Sequence, residues 1–312
     1  MEKYILENLN YSPLYQDNLS NHLSMAIMAL FHLGASEKQL SEFNSNYTAQ
    51  LEKIDQFDDI HKLKQQYLKE IVDNSQILPV IINELIPYIT TGGFHGVIRT
   101  SYILAEMSNK FLKPDTLLHE LSLSLAYWNV TRFEIKYNKS NIDLEEKIQQ
   151  FKQLNLNNLI FPPNLIYKDL ELISHTDLYL KCSGVFNYHP LNDVLLLEFA
   201  LDTYIKTCDF TAIHMITLLH AYHIIEPYLN HENIQIIQSI LWNNLLAAAI
   251  RSHRSKLDNI KMLSYLNIPI NKVLNSQDDH LIKLYYSLTE LYKITNNQKC
   301  IVALNVLMSK YQ

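Results

Sequence analysis

The stretch Thr91-Gly92-Gly93-Phe94-His95-Gly96-Val97-Ile98-Arg99-Thr100-Ser101-Tyr102 carries three of the chain's five glycines within its first six residues. Glycine is scarce elsewhere, so its concentration around one histidine points to a backbone that needs left-handed conformations or close approach there. The residues after the glycines read as a helix on which His95, Arg99 and Tyr102, at i, i+4 and i+7, share one face. The rest of that face is apolar, and burying a polar trio is costly unless each member is paired or bound to something. Two readings stand at this point. One is a helix-opening turn backed by hydrogen-bonded core residues; the other is a helix that delivers a ligand-binding histidine into the interior. A dinucleotide-binding loop is a poor fit, because the glycines follow the helical run Ile77 to Ile89 rather than a strand and lack the G-x-G-x-x-G spacing.

Working outward, helical patterning dominates on both sides. His22 to Leu33, capped by Ser20 or Asn21 and stopped by Gly34, has an apolar stripe of Met25, Ala26, Ala29, Leu30 and Leu33 with His22 at one end. Ser36 then caps a second helix with Leu40, Phe43, Tyr47 and Leu51 at helical spacing, which makes a helical hairpin. Asp58 to Asp73 and Thr116 to Val130 follow as further helices. Residues 1 to 18 read as an irregular lead-in, and Arg132 to Asn157, charged, Asn-rich and broken by Phe161-Pro162-Pro163, as an excursion from the core. Helices resume at Leu191 to Cys208, Phe210 to Ile225 (ended by Glu226-Pro227), Ile234 to Ile250, Asp278 to Ile294 and Lys299 to Tyr311. No run of strand length alternates with period 2, and no repeat of fixed period appears. The expected fold class is therefore all-α, a single multi-helix domain over residues 1–312.

Composition narrows the function. Apolar residues at 48% against 19% charged describe a globular chain able to bury a large core, not a disordered one. A net charge of −6 gives no electrostatic footprint for nucleic acid. The most apolar windows, Leu23 to Leu33 and Ser239 to Ile250, are too short to span a bilayer, so no membrane partner is expected. Cys182, Cys208 and Cys300 are too few and too scattered for a disulfide framework or a zinc ribbon, and the N-terminus lacks the pattern of a secretory signal. Cytoplasmic location is the expectation. Neither a G-x-S-x-G elbow nor a Walker loop is present.

Thirteen histidines direct attention to those on helical faces. His22 opens the first long helix and His95 follows the glycines. In Asp209 to His223, His214 and Thr217 share a face, as do His220 and His223; the latter pair could bind zinc but lacks an H-E-x-x-H or C-x-x-C companion. In Asp278-Asp279-His280-Leu281-Ile282-Lys283, His280 and Lys283 point the same way at a helix start. An exposed first turn with a snorkelling lysine is one reading. The other is a buried lysine whose neutral amine reacts with carbon dioxide to give a carbamate, a carboxylate-type ligand. Imidazoles with one such oxygen suit non-haem iron, with zinc or manganese as alternatives. His32, His61, His119, His175, His189, His231 and His253 lie near turns, charges or helix ends and read as surface or structural.

The blocks Asn21-His22-Leu23-Ser24-Met25-Ala26, Leu33-Gly34-Ala35, Phe43-Asn44-Ser45-Asn46-Tyr47, Gly93-Phe94-His95-Gly96-Val97-Ile98-Arg99, Asp209-Phe210 with Ile213-His214 and Thr217, and Asp279-His280-Leu281-Ile282-Lys283 occur in this order. In that order they resemble the questin oxidase family. The resemblance implies an all-helical oxidoreductase, an oxygenase of Baeyer-Villiger-like or ring-cleaving type acting with dioxygen on an aromatic or quinone-like small molecule. It also implies iron(II) held in a central pocket by His22, His95, His214 and His280, with Lys283 as a carboxylated lysine ligand. Arg99 and Tyr102 would then be catalytic groups that orient ligands or steady an oxyanion, with Thr217 and His220 in support. The chain is shorter than the family's fungal enzymes, and it carries no dinucleotide motif for the NADPH dependence attached to the family. Two other expectations remain beside this one: a non-catalytic helical interaction protein, or a small-molecule binding protein with a structural zinc.

Overall fold

The computed structural model describes residues 1–55, 58–154, 156, 164–230, 232, 234–253 and 270–309. Their regular structure is all-α apart from one minimal ribbon. The chain opens with α1 (Glu2–Asn8), then β1 (Leu14–Tyr15) and β2 (Leu19–Ser20), which pair antiparallel with Leu14 opposite Ser20. The helical hairpin α2 (Leu23–His32) and α3 (Glu37–Thr48) follows, then α4 (Asp59–Asp73), α5 (Ile77–Leu85), α6 (His95–Asn109) and α7 (Pro114–Val130). Three short helices come next: α8 (Leu144–Lys152), α9 (Ile166–Ser174) and α10 (Asp177–Cys182). The second half holds α11 (Leu191–Thr207), α12 (Phe210–Ile225), α13 (Ile234–Ser252), α14 (Ile270–Leu274), α15 (Asp279–Thr295) and α16 (Gln298–Ser309).

Local sequence explains most of these limits. Ser36 caps α3 by accepting from the Gln39 N–H, and the Gln39 side chain returns the bond in a capping box. Asp58, Asp143, Asp209 and Asp278 cap α4, α8, α12 and α15 in the same way, with side-chain oxygens on otherwise unpaired N–H groups. Pro87 and Pro227 tighten the chain into single 3-10 turns where α5 and α12 stop. The loop before α6 is the most contorted part of the backbone: Gly92, Gly93 and Phe94 are all left-handed, with φ of 59°, 70° and 80°. Two glycines make such a run affordable; the non-glycine Phe94, fully buried, is held there by its packing. Gly96 serves a different need, since a Cβ at that position would sit 2.7 Å from the Trp128 indole of α7.

The centre of the molecule is the group α2, α6, α12 and α15, in which α12 packs on both α6 and α15, and α2 packs on both α15 and α6. Around it, α7 backs α6 with α4 outside, α11 and α13 back α12, and α16 backs α15. Helices so placed are buried on all sides rather than along a stripe, as α2 is from Leu23 to Leu30 and α13 from Ile237 to Ser252. No described helix is long and apolar enough to cross a membrane, and the buried Cys182, Cys208 and Cys300 form no disulfide among the described residues.

Three expectations change. The lead-in is not irregular throughout, because α1 buries Tyr4 and Ile5 against the core; seven residues give too few turns for a period to show. The polar excursion contains α8, which buries Leu144, Ile148 and Phe151. Leu51 falls beyond the end of α3 and is only partly buried. The break at Phe161-Pro162-Pro163, His231 and the end of the last helix at Tyr311 lie outside the described residues.

Candidate metal centre

Four histidines distant in sequence meet at the N-terminal ends of the central helices. His22 caps α2, His95 is the first residue of α6, His280 is the second of α15, and His214 is one turn into α12. The His22 ring stacks on His95 at 4.3 Å between centroids and meets His280 edge-on at 4.7 Å. His214 closes the set, 4.9 Å from His95 and 5.2 Å from His280.

The hydrogen bonds fix which nitrogen faces inward. His95 Nδ1–H donates to the Gly92 carbonyl at 2.5 Å, and His214 Nδ1–H donates to the Phe210 carbonyl at 2.9 Å. His22 Nδ1 is bonded to Asp279 Oδ2, and His280 Nδ1 lies 3.3 Å from Asp279 Oδ1. The acceptors of His22, His95 and His214 are oxygens without a proton to give, so in these three rings Nδ1 carries the hydrogen and Nε2 keeps its lone pair. Every one of the four Nε2 atoms is buried without a hydrogen-bond partner. Candidate ligand atoms of His22, His95 and His280 lie within 4.8 Å of one another. His214 falls outside that group and adjoins it through its ring contacts with His95 and His280. Buried nitrogens left so unpartnered each carry a desolvation cost unless a cation or a shared donor sits among them. Outer partners on Nδ1 with free Nε2 lone pairs are the arrangement that metal-binding imidazoles adopt, so the residues present fit a transition-metal ion.

Asp279 is the residue that the sequence reading passed over. Besides two imidazoles, it holds Lys283, whose Nζ is 3.4 Å from Oδ2. Burial alone would raise its carboxyl, but His22, His280 and Lys283 hold it well below the usual carboxylate range. The i, i+4 spacing of Asp279 and Lys283 was the available signal. Lys283 is only 2% exposed, and burial pushes its ammonium below the ordinary value while Asp279 opposes the shift. Asp279→Asn would present an NH2 group to one of the two imidazoles and drive that ring to the other tautomer. Metal affinity, read by competition with a chromophoric chelator, is expected to fall roughly 10- to 100-fold; unchanged affinity would remove Asp279 from the centre.

Burial also keeps the imidazoles neutral. His22 is pushed down to about 3, chiefly by burial and then by Lys283; His95 and His214 go well below the ordinary value for the same first reason. His220, also buried, drops to about 3. The unfolded chain takes up protons from about 6.5 downward while folded His22 and His220 wait until near 3, so the unfolded state binds more protons across that window. Stability of the metal-free protein is therefore complete above about 6.5 and declines as pH falls toward 3. Melting temperatures in a pH series should show that decline, and a profile flat across the window would contradict it.

A cavity of about 550 Å³ opens onto the centre and is lined by His22, His95, His214, His280 and Asp279 together with Phe210, Tyr15, Tyr47 and Tyr167. That volume suits a small organic ligand. The Phe210 ring lies 4.4 Å from that of His280 and 4.8 Å from that of His214, an apolar plate over two imidazoles.

Other expected site residues sit elsewhere. Arg99 is buried one turn along from His95, but its Nε and Nη2 both donate to Glu120 Oε1 of α7, at 3.0 and 2.7 Å, and it does not line the cavity. Tyr102 packs against Tyr286 at 5.7 Å and edge-on to His220 at 6.5 Å, deeper in the bundle. Thr217 returns its hydroxyl to the Ile213 and His214 carbonyls of its own helix. His220 Nδ1 is 3.1 Å from the Ser287 hydroxyl, and neither it nor His223 belongs to a metal-competent group among the described residues. Asp278, near His280 and Asp279, is occupied as the cap of α15.

No family model matches this sequence, and no curated protein is detectably similar to it.

Proposed function

We propose that this chain is a metal-dependent oxidoreductase, a non-haem iron oxygenase of the questin oxidase kind that its sequence blocks resemble. Its substrate would be an aromatic or quinone-like small molecule taken together with dioxygen. The observation that carries the reading is the set of four buried, unpartnered Nε2 atoms, three of them on rings pinned by hydrogen bonds through Nδ1. Neutral nitrogen donors favour iron, zinc or copper over magnesium or calcium.

His22, His95, His214 and His280 would hold the ion, and Lys283, beside Asp279, would complete its shell as a carbamate. Charge supports that role. Four neutral imidazoles leave a divalent ion its full charge, and the N-terminal ends of α2, α6 and α15 add positive potential to the same spot. Asp279 offsets part of it, and an anionic carbamate would offset more.

Iron(II) in this position supplies redox chemistry toward dioxygen and Lewis acidity toward a substrate oxygen. The chain's own residues do the rest. Phe210 gives a flat ligand an apolar face beside the imidazoles, and the burial of His22, His95 and His214 keeps bulk water from their nitrogens. The helix ends favour a substrate bound as an enolate or phenolate, because developing negative charge is stabilised there.

Elemental analysis of protein purified without added metal is expected to show iron near one equivalent per chain. Removing it with a chelator should lower the melting temperature, and restoring ferrous iron at about 100 times its dissociation constant should return about 2.7 kcal/mol. Metal-free protein whose melting temperature does not respond to iron or zinc would overturn the reading.

A further inference from the structure

Two phenols on the cavity wall have no part in holding the metal. Tyr47, in the last turn of α3, and Tyr15, in β1, both line the cavity and are both buried. The Tyr47 oxygen accepts the backbone N–H of His22 at 3.1 Å. A phenol oxygen that accepts an amide proton still has its own proton to give. Tyr15 brings a second O–H to the same wall. The nearby carboxylate, Asp279, is taken by two imidazoles and Lys283. What lies before Tyr15 is the cavity.

The His22 amide polarises the Tyr47 hydroxyl and strengthens the bond that hydroxyl can give. That amide lies at the positive end of α2. We propose that Tyr15 and Tyr47 form a donor pair that binds an anionic oxygen of the cavity's ligand, with the His22 amide positioning Tyr47. The ligand class is a small molecule that presents a phenolate- or enolate-type oxygen. Through the His22 amide, Tyr47 also ties the donor pair to the backbone of a metal-binding residue. This inference rests on the cavity being the substrate site of the proposed oxidoreductase.

The test uses 4-nitrophenol, whose anion absorbs in the visible, titrated into the zinc-loaded protein so that no oxidation intervenes. The wild-type chain should bind the anion, and Tyr15→Phe should weaken that binding roughly tenfold, the effect of one hydrogen bond to a charged group, with zinc content unchanged. Tyr47→Phe should weaken both the anion and the zinc. On wild-type protein, 4-nitroanisole, which has the same ring but no ionisable oxygen, should bind at least tenfold more weakly. Equal binding of the two probes, equal binding by wild type and Tyr15→Phe, or no binding of nitrophenolate overturns the proposal. Should elemental analysis show no zinc, the metal reading fails separately, and the same titration of the metal-free protein still decides the donor pair.

Discussion

His95→Ala should abolish metal binding while leaving the metal-free protein as stable as its wild-type counterpart. The first half follows from the ligand geometry. His95 stacks on His22, meets His214 edge-on, and presents an Nε2 with no other partner. Losing a direct ligand must cost more than the roughly 10- to 100-fold typical of losing an outer partner. The second half follows from what the wild-type protein bears without metal. It holds several crowded imidazoles with unsatisfied nitrogens, an arrangement that costs stability unless something binds there. His95 borders a cavity already present, so its truncation enlarges that space instead of opening a new sealed void. Paired elemental analysis and thermal denaturation check both halves. Retained metal would dismiss the centre, and a large loss of metal-free stability would make His95 a packing residue.

Glu120→Ala should be the most destabilising single change away from the centre. Glu120 and Arg99 are 0% and 1% exposed, and removing the carboxylate leaves a guanidinium buried without its charge partner. Lys64 of α4 lies close enough for its charge to be affected by both, and burial already lowers its ammonium. Two cations would then face each other with no anion between them. Breaking a buried pair in this way costs about 3–5 kcal/mol, on the order of 10 °C in melting temperature. Replacing both partners together with Arg99→Met and Glu120→Leu should recover most of that loss, because no lone charge remains. Denaturant unfolding of the single and double variants reads the difference. A single variant within about 1 kcal/mol of wild type would show that water already reaches the pair.

The long helices were legible because their ends are written locally. α12 runs from Phe210 to Ile225 and ends as its Glu226-Pro227 stop indicates, and α6 starts shortly after Gly92-Gly93. Helices of six to nine residues, such as α1, α9 and α10, escape because so few turns establish no period. The candidate centre was legible in a different way. Each histidine could be placed on its helix, but periodicity says nothing about which helices meet, and the grouping rested on resemblance. Asp279 stayed hidden because its role depends on His22, 257 positions away. Tyr15 and Tyr47 gave no signal either, being two of twenty tyrosines, and only the folded chain sets them on one wall.

The four imidazoles are supplied by α2, α6, α12 and α15, from residue 22 to residue 280. A nascent chain leaving the ribosome therefore exposes one histidine of the set at a time, the last 258 positions behind the first. On the proposed reading the full set of donors forms only in the folded bundle, and folded, empty protein could be loaded later.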